Sequence, residues 1–288
     1  MKKLSGLLVL LMLGAAAQAH PGVGIVADSR GNVFFTDLKQ VWKVTPDGKQ
    51  TVAVPDVHSH ELCLDAKDNL YGEHYWHDAQ TKKWMRRVWR LKSDGGLTEV
   101  LPAREGFLRD FSFVRDRAGN MYWIDRGEKL VLMRSSPDGK TAPHAAVEFR
   151  QVEWMTVAPD GTLFLMDGGD LRRVSPDGRV AMVAAKLSGY KTPAAGVSDK
   201  NYHMGLWADT DGKAYVAVAR ERLVLRVGLG GKPAVVARSL ESWSPSGGTF
   251  DRDGNLWLLE YDSGNAVRVR RIDSEGGERI FPAGTPRR

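Results

Sequence analysis

The sequence predicts an all-β chain, a six-bladed β-propeller of four-stranded antiparallel blades. Three observations predict it. An Asp-x-x-Gly-Asn type turn recurs along the chain, a second Gly-containing turn follows each copy, and short β-type runs fill the gaps between them. Self-similarity at about 40 to 50 residues with four strands per unit is the signature of propeller blades.

The first turn occurs at Asp28–Asn32, Asp65–Asn69, Asp116–Asn120 and Asp251–Asn255, and in weaker form at Pro159–Thr162 and Asp209–Lys213. The second occurs at Pro46-Asp-Gly48, Ser93-Asp-Gly95, Pro137-Asp-Gly139, Pro176-Asp-Gly178, Gly228–Gly231 and Ser274-Glu-Gly276. Proline presets φ, aspartate bonds its own backbone and glycine accepts positive φ, so these triplets turn for a physical reason. The run before the first turn is small and apolar, as in Gly205-Leu-Trp-Ala, which suits an innermost strand A. The run after it is rich in aromatics, as in Asn120-Met-Tyr-Trp-Ile, and forms strand B. The third runs alternate apolar and charged residues, as in Val267-Arg-Val-Arg, which is the period-two pattern of a half-exposed strand C. A fourth apolar run, such as Val180-Ala-Met-Val183, supplies strand D. The blades are expected at roughly 20–56, 57–103, 104–149, 150–187, 200–240 and 243–283, within a domain spanning 20–288. The chain enters on a strand A and leaves on a strand D, so the ring is expected to close without exchanging a strand.

Residues 1–19 read as a signal peptide. Lys2 and Lys3 precede the apolar run Leu7–Leu13, and Ala17-Gln18-Ala19 is an A-x-A cleavage signal. Export to the periplasm or outside the cell is the expectation, and no later segment is apolar enough to span a membrane. The formal net charge is +6. Its basic residues are scattered, with no dense Lys/Arg block and interleaved aromatics, so no nucleic-acid partner is expected. The single cysteine, Cys63, lies in the apolar Leu62-Cys63-Leu64 and reads as a buried, inert thiol. Nothing in the repeat calls for a second copy, and a monomer acting on a small molecule or metal ion is expected.

The pattern Gly-Ile-x-x-Asp-x-x-Gly-Asn at Gly24–Asn32, closed by Asp37, resembles NHL-repeat propellers. It is also similar to the SMP-30/gluconolactonase-like superfamily. The resemblance covers the whole mature chain. It speaks for the fold far more than for an activity, because propellers host many unrelated functions.

Antiparallel blades sort the loops. The D-to-A and B-to-C connections emerge on one face, and the Asp-centred and Pro-Asp-Gly turns on the other. Six of the seven histidines fall on the first face: His20, His58, His60 and His203 lead into A strands, and His74 and His77 follow a B strand. His144 lies elsewhere. Neutral imidazoles at a channel mouth suit copper or zinc. Cleavage after Ala19 would give His20 a free α-amine beside its imidazole, which looks like the histidine brace of copper proteins. His60 and His203 would complete such a site, with His58 and His74 as alternative or supporting ligands. Copper is the favoured ion on this reading, with zinc or calcium as alternatives. Acids also gather on this face, with Asp37, Glu73, Asp125, Asp167 and Glu260 at strand B ends. Glu73, Arg109, Asp110 and Glu260 are the candidate catalytic or substrate-contacting residues, and Trp154, Trp243, Tyr75 and Trp76 are candidate pocket walls.

Two further readings remain open. The gluconolactonase resemblance implies a metal-dependent lactonase that holds a divalent ion through Glu, Asn and Asp. This chain has His20-Pro-Gly where those proteins open the first inner strand with Glu, so the carboxylate set is not clearly present. Gly254-Asn-Leu-Trp-Leu-Leu-Glu260 resembles a strand of virginiamycin B lyases, which use Glu and His around a metal. The other reading is a non-catalytic scaffold that binds peptide or glycan on the same face.

Overall fold

A computed structural model describes residues 21–108, 113–145, 147–187, 203–228, 230 and 232–284. The chain is a six-bladed propeller, as its repeats predict. Blade one comprises β1 (Ile25–Ala27), β2 (Val33–Thr36), β3 (Val41–Val44) and β4 (Gln50–Val54), paired antiparallel in that order. Blade two follows with β5 (Leu62–Leu64), β6 (Leu70–Asp78), β7 (Lys83–Leu91) and β8 (Leu97–Glu105). The third sheet has three strands among the described residues: β9 (Met121–Arg126), β10 (Leu130–Ser135) and β11 (Thr141–Pro143). A bridge from Arg115 to Met121 marks its inner position. Blade four is β12 (Val152–Val157), β13 (Leu163–Asp167), β14 (Asp170–Val174) and β15 (Val180–Ala184). Blade five is β16 (His203–Ala208), β17 (Ala214–Val218), β18 (Leu223–Val227) and β19 (Ala234–Arg238). Blade six is β20 (Trp243–Phe250), β21 (Leu256–Asp262), β22 (Val267–Ile272) and β23 (Glu278–Pro282). Among the described residues no helix is long and apolar enough to cross a membrane.

The core lies between blades. On β13, Leu163 and Leu165 pack toward blade three, while Phe164 and Met166 pack toward blade five. Both faces of such a strand are buried, so its sequence is a continuous apolar run rather than an alternation. The ring closes in the same way. Phe35 and Trp42 of blade one pack with Trp257, Val269 and Phe281 of blade six. Gln50 Nε2 donates to the Pro282 carbonyl at 2.9 Å, and Ser246 Oγ donates to the Gly22 carbonyl at 2.9 Å. Among the described residues no strand is exchanged between the first and last blades.

The Asp-centred turns carry the repeat. Asp251 Oδ1 accepts the backbone N–H groups of Asp253 and Asn255, and its Oδ2 accepts Asn255 Nδ2 and Trp257 Nε1 at 2.8 Å each. Tyr71, Tyr122 and Tyr215 hydroxyls make the corresponding bond to Asp65, Asp116 and Asp209. The glycine in the turn has positive φ, 80° at Gly254 and 83° at Gly31, where a side chain would be strained.

Blade two departs from the sequence expectation. His74 and His77 do not lie in a loop after strand B, because β6 continues to Asp78 and pairs with β7 throughout. Tyr75 and Trp76 favour the extended pairing, and Asp78 Oδ1 closes the hairpin by accepting the Gln80 and Thr81 amides. The result is a long hairpin continuing past the rung at which neighbouring B strands end.

An Asp251→Ala variant is expected to lose about 2 kcal/mol of unfolding free energy in chemical denaturation, because four donors lose their acceptor together. The exposed neighbour Asp253→Ala should change it by less than ~0.5 kcal/mol. Equal effects of the two would refute the role given to the turn.

Candidate functional site

The A strands of all six blades wall an axial cavity of ≈ 290 Å³. Each Asp-centred turn fixes the register of the strand before it. The residue four places ahead of Asp28, Asp65, Asp209 and Asp251, and of Ala158 in blade four, is Gly24, Glu61, Gly205, Gly247 and Trp154. All five line the cavity. A Cβ on Gly205 would run into the Ser246 carbonyl, and one on Gly247 into the Val23 carbonyl. Glycine there lets neighbouring inner strands close up. Among the described residues lining the cavity, Glu61 is the only acid and Arg115, toward the Asp116 turn, the only base.

Glu61 sits at the mouth bearing the D-to-A loops. It is half-buried, and burial together with the charge of Glu73 raises its pKa from 4.5 to about 7. Glu73 is 2% exposed. Its Oε1 accepts the backbone N–H of His60, and that of Glu61 at 3.2 Å, and lies 3.4 Å from His60 Nδ1. Its Oε2 is buried without a hydrogen-bond partner. Counted from the turn, Glu73 stands one residue earlier than Asp37, Asp167 and Glu260. It takes the rung that Met166, Ala217 and Leu259 occupy in blades four, five and six. Those residues are buried and apolar.

Blade two also gathers three of the expected histidines. His58 donates its backbone N–H to His74 Nδ1 at 2.8 Å, and the His58 and His60 rings meet edge to face at 4.7 Å. The His74 ring stacks on Trp76 at 4.9 Å, and burial, Arg87 and His58 hold its pKa below the usual histidine value. His203 lies apart on β16, 3% exposed, with Nδ1 3.9 Å from Glu153 Oε2. The Trp154 indole N–H donates to the His203 carbonyl. His20, Arg109 and Asp110 lie outside the described residues. Among those described, no three His, Cys, Asp or Glu side chains converge as a metal ion would require. His60 and His203 each face a carboxylate through Nδ1, so the described residues supply no complete ligand set and no chemistry is routed through a metal.

The remaining acids act as ties. Asp167 Oδ1 accepts the Arg150 and Gln151 amides, and Asp37 accepts the Lys39 and Gln40 amides and Trp42 Nε1. Glu260 is fully buried and bound by Arg268, Arg270 and Ser239, so it is a structural anchor rather than a group open to substrate. Trp243 lies under the Arg268 guanidinium, 4.1 Å from ring to charge. Burial pushes the Cys63 thiol up to about 12, which keeps it inert as expected. Sequence reasoning missed Glu61. Its signal was an acid at the register position where three other inner strands carry glycine.

No family model matches the chain, and no curated protein does. Solved structures do. A luciferin-regenerating enzyme superposes with a TM-score of 0.57 at 14% identity, covering 92% of each chain. A gluconolactonase from Xanthomonas campestris gives 0.54 at 14% identity, with 83% of this chain and 81% of that one covered. Virginiamycin B lyase from Staphylococcus aureus gives 0.52 at 14% identity, over 92% of this chain and 85% of that one. At such identity the likeness is one of architecture: the chain has the six-bladed propeller fold found in gluconolactonases and virginiamycin B lyase.

Proposed function

We propose that the protein is an exported lactonase-type hydrolase working at the mouth of the axial cavity, with Glu61 as its general base. The observation that carries this reading is that Glu61 is the sole acid among the described residues of the cavity wall. A carboxyl poised near neutrality can both take and return a proton. Glu61 removes a proton from water as the water oxygen bonds to the lactone carbonyl carbon. The tetrahedral intermediate collapses by breaking the ring C–O bond, and protonated Glu61 gives its proton to the departing alkoxide. His60 serves the developing oxyanion. Glu73 is a positioning residue that holds His60 through Nδ1 and keeps Glu61 protonated to higher pH. The lactonase and lyase among the fold relatives support an acid–base reaction on a cyclic ester over metal storage. The copper reading through His20, His60 and His203, with His58 and His74 in support, is carried less far, because no three such ligands converge among the described residues.

For hydrolysis of a simple lactone, kcat/KM is expected to rise with pH and level off above about 7, the limb set by Glu61 ionisation. Glu61→Gln should remove that limb and lower kcat by about a hundredfold or more. Full activity in the variant would sink the assignment.

Stability gives a check that needs no substrate. The folded state holds the Glu61 proton more tightly than the unfolded chain does, so folding loses stability as pH rises from 4.5 through about 7. Glu61→Gln should therefore gain in melting temperature relative to wild type at pH 8 and lose that advantage at pH 4. A difference independent of pH would contradict the raised pKa.

A further inference from the structure

The long hairpin of blade two carries a line of rings from its tip down to the candidate site. In order they are His77, Trp84, Phe107, Tyr75 and His60. Their centroids are spaced 5.7, 5.9, 5.3 and 6.1 Å apart. The register explains the line. Antiparallel pairing sets Tyr75 opposite Arg86 and His77 opposite Trp84, so Glu73, Tyr75, His77 and Trp84 project from one face of the hairpin. That face also carries Val88, which packs with Phe113 between blades two and three. Phe107 arrives from the end of β8 to fill the step between Tyr75 and Trp84. The inner end of the line is His60, already paired with Glu73 beside Glu61.

The outer rings are open to solvent. Trp84 is 49% exposed and Phe107 56%. Leaving two large aromatics this exposed beside a mouth costs apolar burial and calls for an occupant. Among the described residues, several polar groups around the line are already engaged with one another. Lys83 pairs with Glu105 at 2.7 Å, Arg86 donates to the Glu105 carbonyl, and Asp78 accepts the amides of its own turn. A polyol needs a fringe of donors and acceptors beside its stacking surface. Here the ring faces are what is on offer.

We propose that this line is a substrate subsite that binds an aryl ring, placing an aryl-bearing lactone with its carbonyl over Glu61. This rests on the lactonase reading above and names its substrate class. Trp84 and Phe107 hold the distal ring by stacking, and Tyr75 continues the contact inward toward His60.

The matched probes are dihydrocoumarin, δ-valerolactone and glucono-δ-lactone. The first carries a fused aryl ring that the second lacks, and the third is a sugar. In a Trp84→Ala/Phe107→Ala double variant, the ratio of kcat/KM for dihydrocoumarin to that for δ-valerolactone should fall roughly tenfold. An unchanged ratio overturns the subsite while leaving the Glu61 assignment intact. A fall confined to glucono-δ-lactone overturns the aryl class in favour of sugar. A second arm does not depend on catalysis. The hydrolysis product 3-(2-hydroxyphenyl)propanoate is titrated into wild type and the double variant, and its Kd should rise roughly tenfold in the variant. If no lactone is turned over but this loss of binding is seen, the lactonase reading fails and the aryl subsite stands. Equal Kd values overturn the subsite.

Discussion

Everything that positions the site depends on one repeated interaction, the aspartate that closes five of the six A-to-B turns. A single carboxylate collects backbone amides from inside the turn and a side-chain donor from the following strand, as Asp28 does with Arg30 and Asn32 and Asp116 does with Asn120 and Tyr122. That clamp fixes where strand A stops and strand B starts. Because strands pair by rungs, it also fixes which residue of each A strand meets the axis. Blade four shows the tolerance of the device. Ala158 stands in the aspartate position, and Asp160 supports the turn from inside through the Thr162 amide and hydroxyl.

A ring of six sheets must converge at its inner edge, and there space is scarcest. Glycine at Gly24, Gly205 and Gly247 lets backbone approach backbone where any Cβ would collide. Two of the five turn-registered positions do not follow this rule. Trp154 is tied by its indole N–H to the blade-five strand beside it, so its bulk closes the wall. Glu61 instead brings a carboxylate to the cavity surface, which helps neither packing nor solvation. A group that costs the fold and lines its cavity is where function is best sought.

The architecture was legible because its signals are local and repeated: the turn triplets, the apolar inner strands and the alternating third strands. The site was less so. The histidine count pointed to one mouth, and His58, His60, His74 and Glu73 gather there on blade two. What sequence could not convey is which acids the fold neutralises. Glu260 and Glu73 look alike as strand B acids, yet Glu260 meets Arg268 and Arg270 across its sheet, a pairing visible only once register is known. Glu61 was hidden by its position at the head of an apolar inner strand. The aromatic line was hidden because Phe107 joins Tyr75 and Trp84 only through the fold, and because the β6–β7 hairpin runs on where a loop was expected.

Blade two is singular because the ring's rule fails twice on one rung. Glu61 stands where Gly205 and Gly247 stand elsewhere, and Glu73 where Ala217 and Leu259 stand. The two carboxyls are neighbours across a strand pair, and among the described residues no arginine reaches Glu73 as two reach Glu260. Burial and a neighbouring like charge both favour the protonated form of a carboxyl. Glu73 is pinned as an acceptor by the His60 and Glu61 amides, while burial and this nearby carboxylate raise the pKa of Glu61, which faces the cavity. The same amides come from the D-to-A loop that carries His58 and His60, so the tie that orders this loop also sets the titration of the cavity acid. A fold built only for stability would place an apolar residue at Glu73, as blades four, five and six do. The carboxylate there weakens the packing of blade two and gives the mouth a group that can exchange a proton near neutral pH.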